Sequence, residues 1–180
     1  MKSVAIFGKE LNHKFKSDIE FLLSYLKENS VSIQIHKRYL QKLEEEFQLD
    51  LSHVIPFSSA HNKNRKPDLL ISIGGDGTFL DSTLMLKGAD IPIMGINTGR
   101  LGFLARVSSE DIKDSIDKWL AGDFKIENRS LLEICTENNL FGKKNFALNE
   151  VTIHKNDNAS MIVIHTYVNG EFLNSYWADG

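Results

Sequence analysis

Apolar and polar residues follow two different periods along the first two thirds of the chain. Apolar runs of four to six residues alternate with longer segments whose apolar residues recur three and four positions apart. The runs are typical of buried parallel strands, and the spaced segments are typical of amphipathic helices. The pattern predicts strands over residues 4–7, 31–35, 68–73 and 91–96 and helices over residues 17–29, 39–47, 78–87 and 109–121. Ser17 and Glu20 fit a capping box, which predicts that the first helix begins at Ser17.

The period changes to two after Gly122. Strand patterns then follow one another with only short polar links, over residues 131–136, 146–154, 161–168 and 171–177. Asn169-Gly170, between the last two, is a strong signal for a two-residue hairpin. Alternating strands and helices followed by strands alone predict two units. These are an α/β, Rossmann-like parallel-sheet domain over residues 1–122 and an antiparallel, β-sandwich-type domain over residues 123–180.

The β domain predicted in this way is incomplete. Residues 161–164 are all apolar, and adjacent residues of a strand point to opposite faces, so this strand needs cover on both of them. The segments up to Gly180 are too few to supply that cover. We therefore expect the β region to be partly disordered, paired with another copy of the chain, or completed by a further segment.

Composition and charge exclude several classes of protein. The chain has 180 residues, and its hydrophobic content of 42% excludes a disordered or low-complexity protein. A single cysteine excludes a disulfide scaffold and suits a reducing compartment. The net charge of −3 provides no basic field for nucleic acid, and no apolar run approaches the ~20 residues that span a bilayer. We expect a cytoplasmic protein without a nucleic-acid or membrane partner.

The densest chemical signal is the run Gly74–Thr78, with the sequence GGDGT, between a predicted strand and a predicted helix. Three glycines let the backbone turn sharply and bring its N–H groups against a ligand. The helix that begins near Thr78 adds partial positive charge at the same point. The run therefore predicts a phosphate cradle that includes Gly75 and Thr78. The alternative is a tight strand-to-helix turn in which Asp76 caps the helix.

Asp76 favours chemistry over a plain turn. A simple phosphate cradle would avoid a carboxylate beside the anion, so this carboxylate is better explained as a base for an attacking hydroxyl or as an anchor for Mg²⁺. The chain has no P-loop motif, and its glycine run lacks the third glycine of a dinucleotide fingerprint. The spacing of the six histidines identifies no metal site.

Four segments carry a resemblance to a known family. The run Gly74–Thr78 resembles the signature of the kinase superfamily that includes NAD kinases, diacylglycerol kinases, sphingosine kinases and 6-phosphofructokinases. Residues 95–104, 147–151 and 178–180 have the sequences GINTGRLGFL, ALNEV and ADG. They resemble the second glycine loop, the Asn-Glu motif and the start of the Asp-Gly segment of NAD kinases. The four matches occur in the family's order and span most of the chain.

The resemblance implies an NAD kinase, or its N-terminal portion, that uses ATP and Mg²⁺ or another divalent metal to convert NAD to NADP. By position, Asp76 corresponds to the proton acceptor for the 2′-hydroxyl of the adenosine ribose, and Gly77 lines the NAD site. Phe103 corresponds to an aromatic residue that packs near the adenine. The remaining substrate-binding positions are Asn149, Glu150 and Asp179. The family assembles as dimers or tetramers, which implies a homo-oligomer.

The same residues have ordinary structural interpretations. Phe103 could be a core aromatic residue. Asn149 and Glu150 lie inside an apolar strand pattern, where a backbone hydrogen bond or a bulge would explain them as well as a ligand does. Asp179, followed by glycine, is a common turn residue. Only their surroundings in the fold distinguish these interpretations from binding.

Two other functions stay open. A lipid kinase of the same superfamily would share the glycine run, but the chain has no amphipathic membrane-binding stretch and the Asn-Glu pair would be unexplained. A non-catalytic nucleotide-binding or regulatory module is a different class. It is favoured by the end of the chain at Gly180, because NAD kinases continue past that segment. The residues do not distinguish ATP from polyphosphate as donor, or NAD from NADH as acceptor.

Overall fold

A computed structural model of the chain describes residues 1–58, 66–86, 89–99, 102–142, 145–156 and 160–180. Parts of three predicted features lie outside these residues: most of the polar loop at 58–66, the helix end at Lys87, and positions 100–101 of the second glycine loop. The chain divides into two compact units. The first is Met1–Arg129 with Gly142–Lys144, and the second is Ser130–Phe141 with Asn145–Gly180.

The first unit is built on a five-stranded parallel sheet with the strand order β3-β2-β1-β4-β5. Its elements are β1 (Ser3–Gly8), α1 (Lys16–Glu28), β2 (Ser32–His36), α2 (Lys37–Phe47), β3 (Ile55–Phe57), β4 (Leu69–Ile73), α3 (Asp76–Leu86), β5 (Ile93–Ile96) and α4 (Ile112–Ala121). None of the described helices is long and apolar enough to cross a membrane. The predicted parallel α/β architecture is confirmed.

Helices cover both faces of this sheet, which explains the continuous apolar runs. Val4 and Ile6 of β1 belong to a large core that also contains buried residues of α1, α2 and α4. Ala5 and Phe7 alternate with them and belong to a smaller core that includes Leu86 of α3. All five residues of β4 are buried as well. A strand buried on both faces has no polar positions to spare, so β1 and β4 are almost wholly apolar.

The order of the strands creates a switch point between β1 and β4. From β1 the chain first builds β2 and β3 on one side, and then crosses to build β4 and β5 on the other. Gly8 at the end of β1 pairs with Ile73 at the end of β4, so both strands finish at the same edge. Open α/β sheets bind ligands in the crevice at such a point. The glycine run that follows Ile73 begins there.

The capping box predicted at Ser17 is wrong. A short 3₁₀ turn at His13–Phe15 precedes α1, and the Oδ1 of Asn12 accepts a hydrogen bond of 3.1 Å from the backbone N–H of Lys14. The helix then begins at Lys16 without a side-chain cap. The reason is Phe15, which is buried in the large core. Its packing brings the chain into helical geometry one turn earlier than the polar pattern indicates.

The edge strand β3 has no counterpart in the sequence-based prediction. It has only three residues, and its central Pro56 pairs with Ile35 of β2. Proline lacks a backbone N–H and is accepted at a sheet edge, where one side of the strand makes no ladder. A three-residue segment that contains proline is too short to show a period of two.

Tyr39 of α2 is buried in the large core with its ring against Gly8. A Cβ added to Gly8 would lie 2.5 Å from the Cζ of Tyr39, so only glycine fits there. Within the part of the chain that the structure describes, the Tyr39 hydroxyl has no hydrogen-bond partner. Burial raises the pKa of this hydroxyl far above its ordinary value.

We expect Tyr39→Phe to raise the free energy of unfolding at neutral pH by about 1 kcal/mol, because a buried hydroxyl without a partner is unfavourable. The substitution should also remove a loss of stability in alkali. Since the folded-state pKa lies above the unfolded value of ~10, the hydroxyl adds no pH dependence well below that pH. As the pH rises above it, the hydroxyl ionises first in the unfolded chain, which lowers the free energy of unfolding. Urea unfolding at about pH 7 and about pH 11 measures both effects. A variant that is less stable than the wild type at pH 7 would contradict the prediction.

The second unit contains two separate antiparallel pairs. β6 (Leu132–Glu133) pairs with β7 (Phe146–Ala147), and β8 (Ile162–Val168) pairs with β9 (Glu171–Ala178). The backbone of the turn between β8 and β9 has positive φ at both central residues, 52° at Asn169 and 86° at Gly170. These are the values of a type I′ turn, whose twist matches that of the flanking strands. The hairpin predicted at Asn169-Gly170 is confirmed.

The strands predicted at 131–136 and 146–154 are much shorter than the pattern indicated. Each is reduced to two residues, and none of the described residues of this unit is buried. Large apolar side chains are exposed instead, with Trp177 at 74% and Leu140 at 74%. Period-two patterns form long strands when one face packs on a core. No such core covers these described segments, and residues 148–156 follow an irregular path.

Candidate functional site

The glycine run leaves β4 by a turn that requires glycine at its first position. Gly74 has a φ of +148°, and its N–H donates a hydrogen bond of 3.0 Å to the carbonyl of Ile96 in β5. A Cβ added to Gly74 would lie 2.9 Å from the Cβ of Thr78. Other L-residues rarely adopt this conformation, and the space is already filled. The sharp exit from the sheet therefore depends on Gly74.

The next residues form the first turn of α3 and leave room beside it. The carbonyl of Gly75 accepts hydrogen bonds from the N–H groups of Thr78 and Phe79, at 3.0 and 3.2 Å. The N–H groups that come earlier in this turn have no carbonyl one turn before them. A Cβ added to Gly75 or Gly77 would meet no atom within 4 Å. Open space beside the start of a helix is suited to an anion.

The carboxylate of Asp76 binds the second glycine loop. Its Oδ2 accepts a hydrogen bond of 2.8 Å from the N–H of Phe103, and its Oδ1 accepts bonds of 3.0 Å each from the N–H groups of Leu104 and Ala105. A Cβ added to Gly102 would lie 2.6 Å from the Cγ of Asp76. The alternative in which Asp76 merely caps its own helix is therefore wrong. Its side chain joins two segments that are 27 to 29 residues apart.

These hydrogen bonds lower the pKa of Asp76 below its ordinary value. The N–H of Ala105 has the largest effect, the N–H groups of Leu104 and Phe103 add to it, and partial burial acts in the opposite direction. The carboxylate is thus ionised at neutral pH. Because the folded-state pKa is depressed, the attachment of the loop is fully present at neutral pH and is lost only as the pH falls through the folded-state pKa.

The second glycine loop leaves the end of β5, and the residues that follow it come back to lie beside β5. Asn97 receives a hydrogen bond from the N–H of Gly99 at its Oδ1 (2.7 Å), and its Nδ2 donates to the carbonyl of Ala105 (3.3 Å). The backbone N–H of Val107 donates to the carbonyl of Gly95 at 3.0 Å. A Cβ added to Gly95 would lie 2.7 Å from the Cα of Ala105. The end of the loop is therefore packed directly on the sheet.

Phe103 projects from this loop into solvent. The residue is 86% exposed, so the interpretation of Phe103 as a core aromatic is wrong. Its backbone is nevertheless held on both sides, since its N–H binds Asp76 and its carbonyl accepts a hydrogen bond of 2.9 Å from the Nε of Arg106. An exposed ring on a fixed backbone, next to a carboxylate and a helix start, is a surface that can stack on a planar ligand.

The remaining candidate residues belong to the second unit. Asn149 and Glu150 are exposed and lie in the irregular segment after β7, so their predicted position inside a strand is wrong. Asp179 follows β9, and both its backbone carbonyl and its side-chain carboxylate bind Lys155. Its carbonyl accepts a hydrogen bond of 2.9 Å from the Lys155 N–H, and its carboxylate lies 2.9 Å from the Lys155 Nζ. Asp179 is thus more than a simple turn residue.

Three contributors to these arrangements were missed from the sequence. Gly102 leaves the space in which the Asp76 carboxylate sits, Asn97 braces the returning loop, and Lys155 holds Asp179. Gly102 and Asn97 lie within the quoted segment 95–104, where a close approach of backbone and side chain could have been considered. Lys155 carries no sequence signal, because its partner is 24 residues away in an irregular segment.

The described side chains of this site offer few ligands to a divalent metal. Among the residues that the structure describes, no group of three or more His, Cys, Asp or Glu side chains is arranged to hold a metal ion. Mg²⁺ at nucleotide sites commonly uses one or two carboxylates and takes its other ligands from phosphates and water. The Oδ2 of Asp76 accepts one hydrogen bond and retains acceptor capacity. Asp76 can therefore supply one oxygen ligand to a Mg²⁺ that arrives with bound phosphates.

Comparison with known proteins identifies similar sequences. Residues 5–124 match the family described as the ATP-NAD kinase N-terminal domain. The chain is similar to the NAD kinases of Cytophaga hutchinsonii, with 42% identity over 174 residues, and Flavobacterium psychrophilum, with 39% identity over 179 residues. These alignments cover 92% and 98% of this chain but 58% and 60% of the relatives. The chain thus spans less than two thirds of the length of these relatives.

Two solved structures share the fold. Yeast NADH kinase complexed with NADH has a TM-score of 0.78 and 19% identity, and the match covers 99% of this chain and 53% of that one. An NAD kinase from Archaeoglobus fulgidus in complex with ATP has a TM-score of 0.66 and 24% identity, with 99% and 58% covered. At these identities the similarity establishes the fold, and it does not by itself assign ligands to individual residues.

Proposed function

This chain belongs to the NAD kinase family, and from that membership we propose that its protein transfers the terminal phosphoryl group of ATP to the 2′-hydroxyl of the adenosine ribose of NAD, giving NADP. The observation that carries the proposal is the carboxylate of Asp76 within the glycine run, at the switch point between β1 and β4. The combination of open space beside the glycine run, a helix start and a carboxylate suits the transfer of a phosphoryl group to a hydroxyl.

Asp76 is the proposed base. It orients the 2′-hydroxyl and accepts its proton as the oxygen forms a bond to the terminal phosphorus and the bond from that phosphorus to the leaving ADP oxygen breaks. Its lowered pKa makes it a weak base. A weak base suffices when the transition state is loose, because the hydroxyl keeps its proton until late in the transfer. The essential contribution is then position rather than basicity.

The glycine turn is the proposed site for the donor phosphates. Gly75 contributes its backbone N–H group and Thr78 its hydroxyl, since the N–H of Thr78 already donates to the carbonyl of Gly75. Both lie at the start of α3, where partial positive charge stabilises an anion. Gly77 lines the NAD side of the same turn, and the free space at Gly75 and Gly77 supports both roles. When bound, Mg²⁺ or another divalent metal would offset the charge of the donor phosphates, with Asp76 as one of its ligands.

Four further residues are the proposed contacts of NAD. Phe103 stacks near the adenine, and its exposure supports that role. Asn149 and Glu150 form hydrogen bonds to the dinucleotide, and Asp179 helps to seat it. Residues 123–180 are, in this proposal, the N-terminal part of an all-β domain that binds NAD. The NADH in the yeast relative and the ATP in the Archaeoglobus relative support a site for both substrates.

We expect Asn149→Ala and Glu150→Ala each to weaken NAD binding by about 1–3 kcal/mol, the cost of leaving a polar group of the ligand without its partner. Because both side chains are exposed, neither substitution should lower the melting temperature measurably. Calorimetric titration with NAD and a thermal melt measure the two quantities. Unchanged NAD affinity together with a large loss of thermal stability would show that the pair is structural.

We further propose that the protein is cytoplasmic and forms a homo-oligomer, a dimer or a tetramer. The exposed apolar side chains of β8 and β9 support self-association through this hairpin. Val163, Tyr176 and Trp177 are each about half exposed or more, and burying them against another copy would remove apolar surface from water.

The test of the proposed activity uses the complete gene product that contains these 180 residues. It is incubated with ATP, Mg²⁺ and NAD, and NADP is detected with an NADP-specific dehydrogenase. Parallel reactions replace NAD by diacylglycerol, and a separate titration measures nucleotide binding. We expect ATP-dependent formation of NADP and no phosphorylation of lipid. Nucleotide binding without turnover would instead establish a regulatory module, and lipid phosphorylation would establish a lipid kinase.

A further inference from the structure

We propose that Asp76 is a positioning residue for Phe103 as well as the base, because its carboxylate fixes the loop that presents the aromatic ring to the dinucleotide. This inference rests on the proposed binding of NAD. It assigns to one carboxylate a part in substrate affinity that is separate from proton transfer. It also links the phosphate side of the site to the aromatic side through hydrogen bonds that the structure describes.

The first argument is the number of donors that converge on Asp76. Three consecutive backbone N–H groups, from Phe103 to Ala105, point at its two oxygens with distances of 2.8 to 3.0 Å. Hydrogen bonds to an ionised acceptor are stronger than neutral ones. Gly102 allows this approach, since a side chain at that position would overlap the carboxylate. The loop is thus shaped around a negative charge at Asp76.

The second argument is that, among the residues that the structure describes, the side chain of Phe103 is not packed into a core that would fix its direction. The residue is 86% exposed and belongs to neither core of the first unit. The direction of the ring is therefore set by the backbone of residue 103. That backbone is held by Asp76 at its N–H and by Arg106 at its carbonyl. Without the bond to Asp76, only one of these two supports is left.

The third argument is that asparagine cannot replace this acceptor. A carboxylate offers two acceptor oxygens, whereas an amide offers one oxygen and an NH₂ group that donates. In Asp76→Asn, the NH₂ group takes the place of one of the two carboxylate oxygens. At either place this donor would face a backbone N–H, which is also a donor. Orientation of the amide oxygen toward Leu104 and Ala105 would leave the N–H of Phe103 unpaired. The substitution therefore frees the backbone of Phe103 while it keeps the size of the side chain.

The experiment is a double-mutant cycle on NAD affinity in the complete gene product. Calorimetry with NAD compares the wild type, Asp76→Asn, Phe103→Ala and the double variant. We expect each single substitution to weaken NAD binding roughly 5- to 30-fold, as the loss of one charge-assisted contact implies. In the Phe103→Ala background, Asp76→Asn should weaken NAD binding by a clearly smaller factor than it does in the wild type, because the part of its influence that passes through the ring is already lost. The effect that is left comes from its proposed contact with the 2′-hydroxyl. Additive effects, or unchanged affinity in Asp76→Asn, would overturn the proposal.

Gly102→Ala separates positioning from proton transfer. This substitution pushes the loop away from the carboxylate but leaves the carboxylate in place, so we expect a weaker affinity for NAD with a much smaller loss of kcat than in Asp76→Asn. Asp114→Asn is the matched control, since Asp114 pairs only with Lys118 on the exposed face of α4 among the contacts described. It should leave NAD affinity unchanged. A Gly102→Ala variant with wild-type affinity would contradict the proposal.

Amide hydrogen exchange tests the hydrogen bonds without any ligand. We expect exchange at Phe103, Leu104 and Ala105 to become at least several-fold faster in Asp76→Asn, with no change in Asp114→Asn. If the wild type does not bind NAD, the proposed function fails and the role of Phe103 in affinity fails with it. The exchange rates still decide whether Asp76 holds the loop. Unchanged rates would overturn the inference even in an active NAD kinase.

Discussion

Replacing Asp76 by asparagine should lower kcat by roughly 10²–10⁴ in the complete gene product, the usual contribution of a positioned acid–base group. The variant keeps the size of the side chain but loses the charge and one acceptor oxygen. It can therefore neither take the proton of the 2′-hydroxyl nor serve as an anionic ligand to a divalent metal. The rate is measured at saturating NAD and ATP, so that a weaker affinity for NAD does not enter the comparison.

Asp114→Asn is again the control, because it removes a carboxylate from an exposed ion pair on α4. Its kcat should equal that of the wild type. Asp76→Glu provides a second comparison, since it restores the charge but extends the side chain by one methylene group. Its kcat should lie between those of the wild type and Asp76→Asn. A kcat within a factor of about three of the wild type for Asp76→Asn would remove the assignment of Asp76 as the base.

The second large effect is expected for Gly95→Ala, which should lower the free energy of unfolding by about 1–3 kcal/mol. Gly95 is buried in β5, and its added Cβ would lie 2.7 Å from the Cα of Ala105 and 2.8 Å from the Cδ2 of Phe79. The first of these atoms is backbone, so the loop itself must shift. Denaturant unfolding of the wild type and the variant measures the change.

Gly75→Ala is the matched substitution for this comparison. A Cβ added there meets nothing within 4 Å, and Gly75 is not among the residues with positive φ. Alanine at such a position leaves stability unchanged or raises it slightly through the unfolded state. The two alanine variants should therefore differ by at least ~1 kcal/mol. Equal stabilities would contradict the close packing of Gly95 on the returning loop.

The parallel sheet could be predicted because β1 and β4 are buried on both faces and read as uninterrupted apolar runs. The hairpin at Asn169-Gly170 could be predicted because the turn type demands these residues. Features that depend on packing were missed. The start of α1 is decided by the buried ring of Phe15. The short strand β3 forms by pairing with the edge of β2 that faces away from β1. Neither cause is visible in the local sequence.

The glycine turn could likewise be predicted, since Gly74–Thr78 is a local signal. The hydrogen bonds of Asp76 could not, because their donors come almost thirty residues later in the chain. The exposure of Phe103 could not be predicted from the local pattern, which by itself favoured a core residue. The strand predicted around Asn149 does not form, although the local pattern indicated one. In the described residues no core packs against this segment.

The most direct measurement is the position of the new phosphate in the product of ATP and NAD. Phosphorus–proton correlation spectroscopy identifies the carbon-bound proton that couples to the phosphorus of the added group. We predict one new phosphate on the 2′-oxygen of the adenosine ribose and one ADP formed for each NADP, with the rate of both reduced by roughly 10²–10⁴ in Asp76→Asn. A phosphate on any other oxygen, or release of inorganic phosphate without a phosphorylated dinucleotide, would contradict the proposed function of this site.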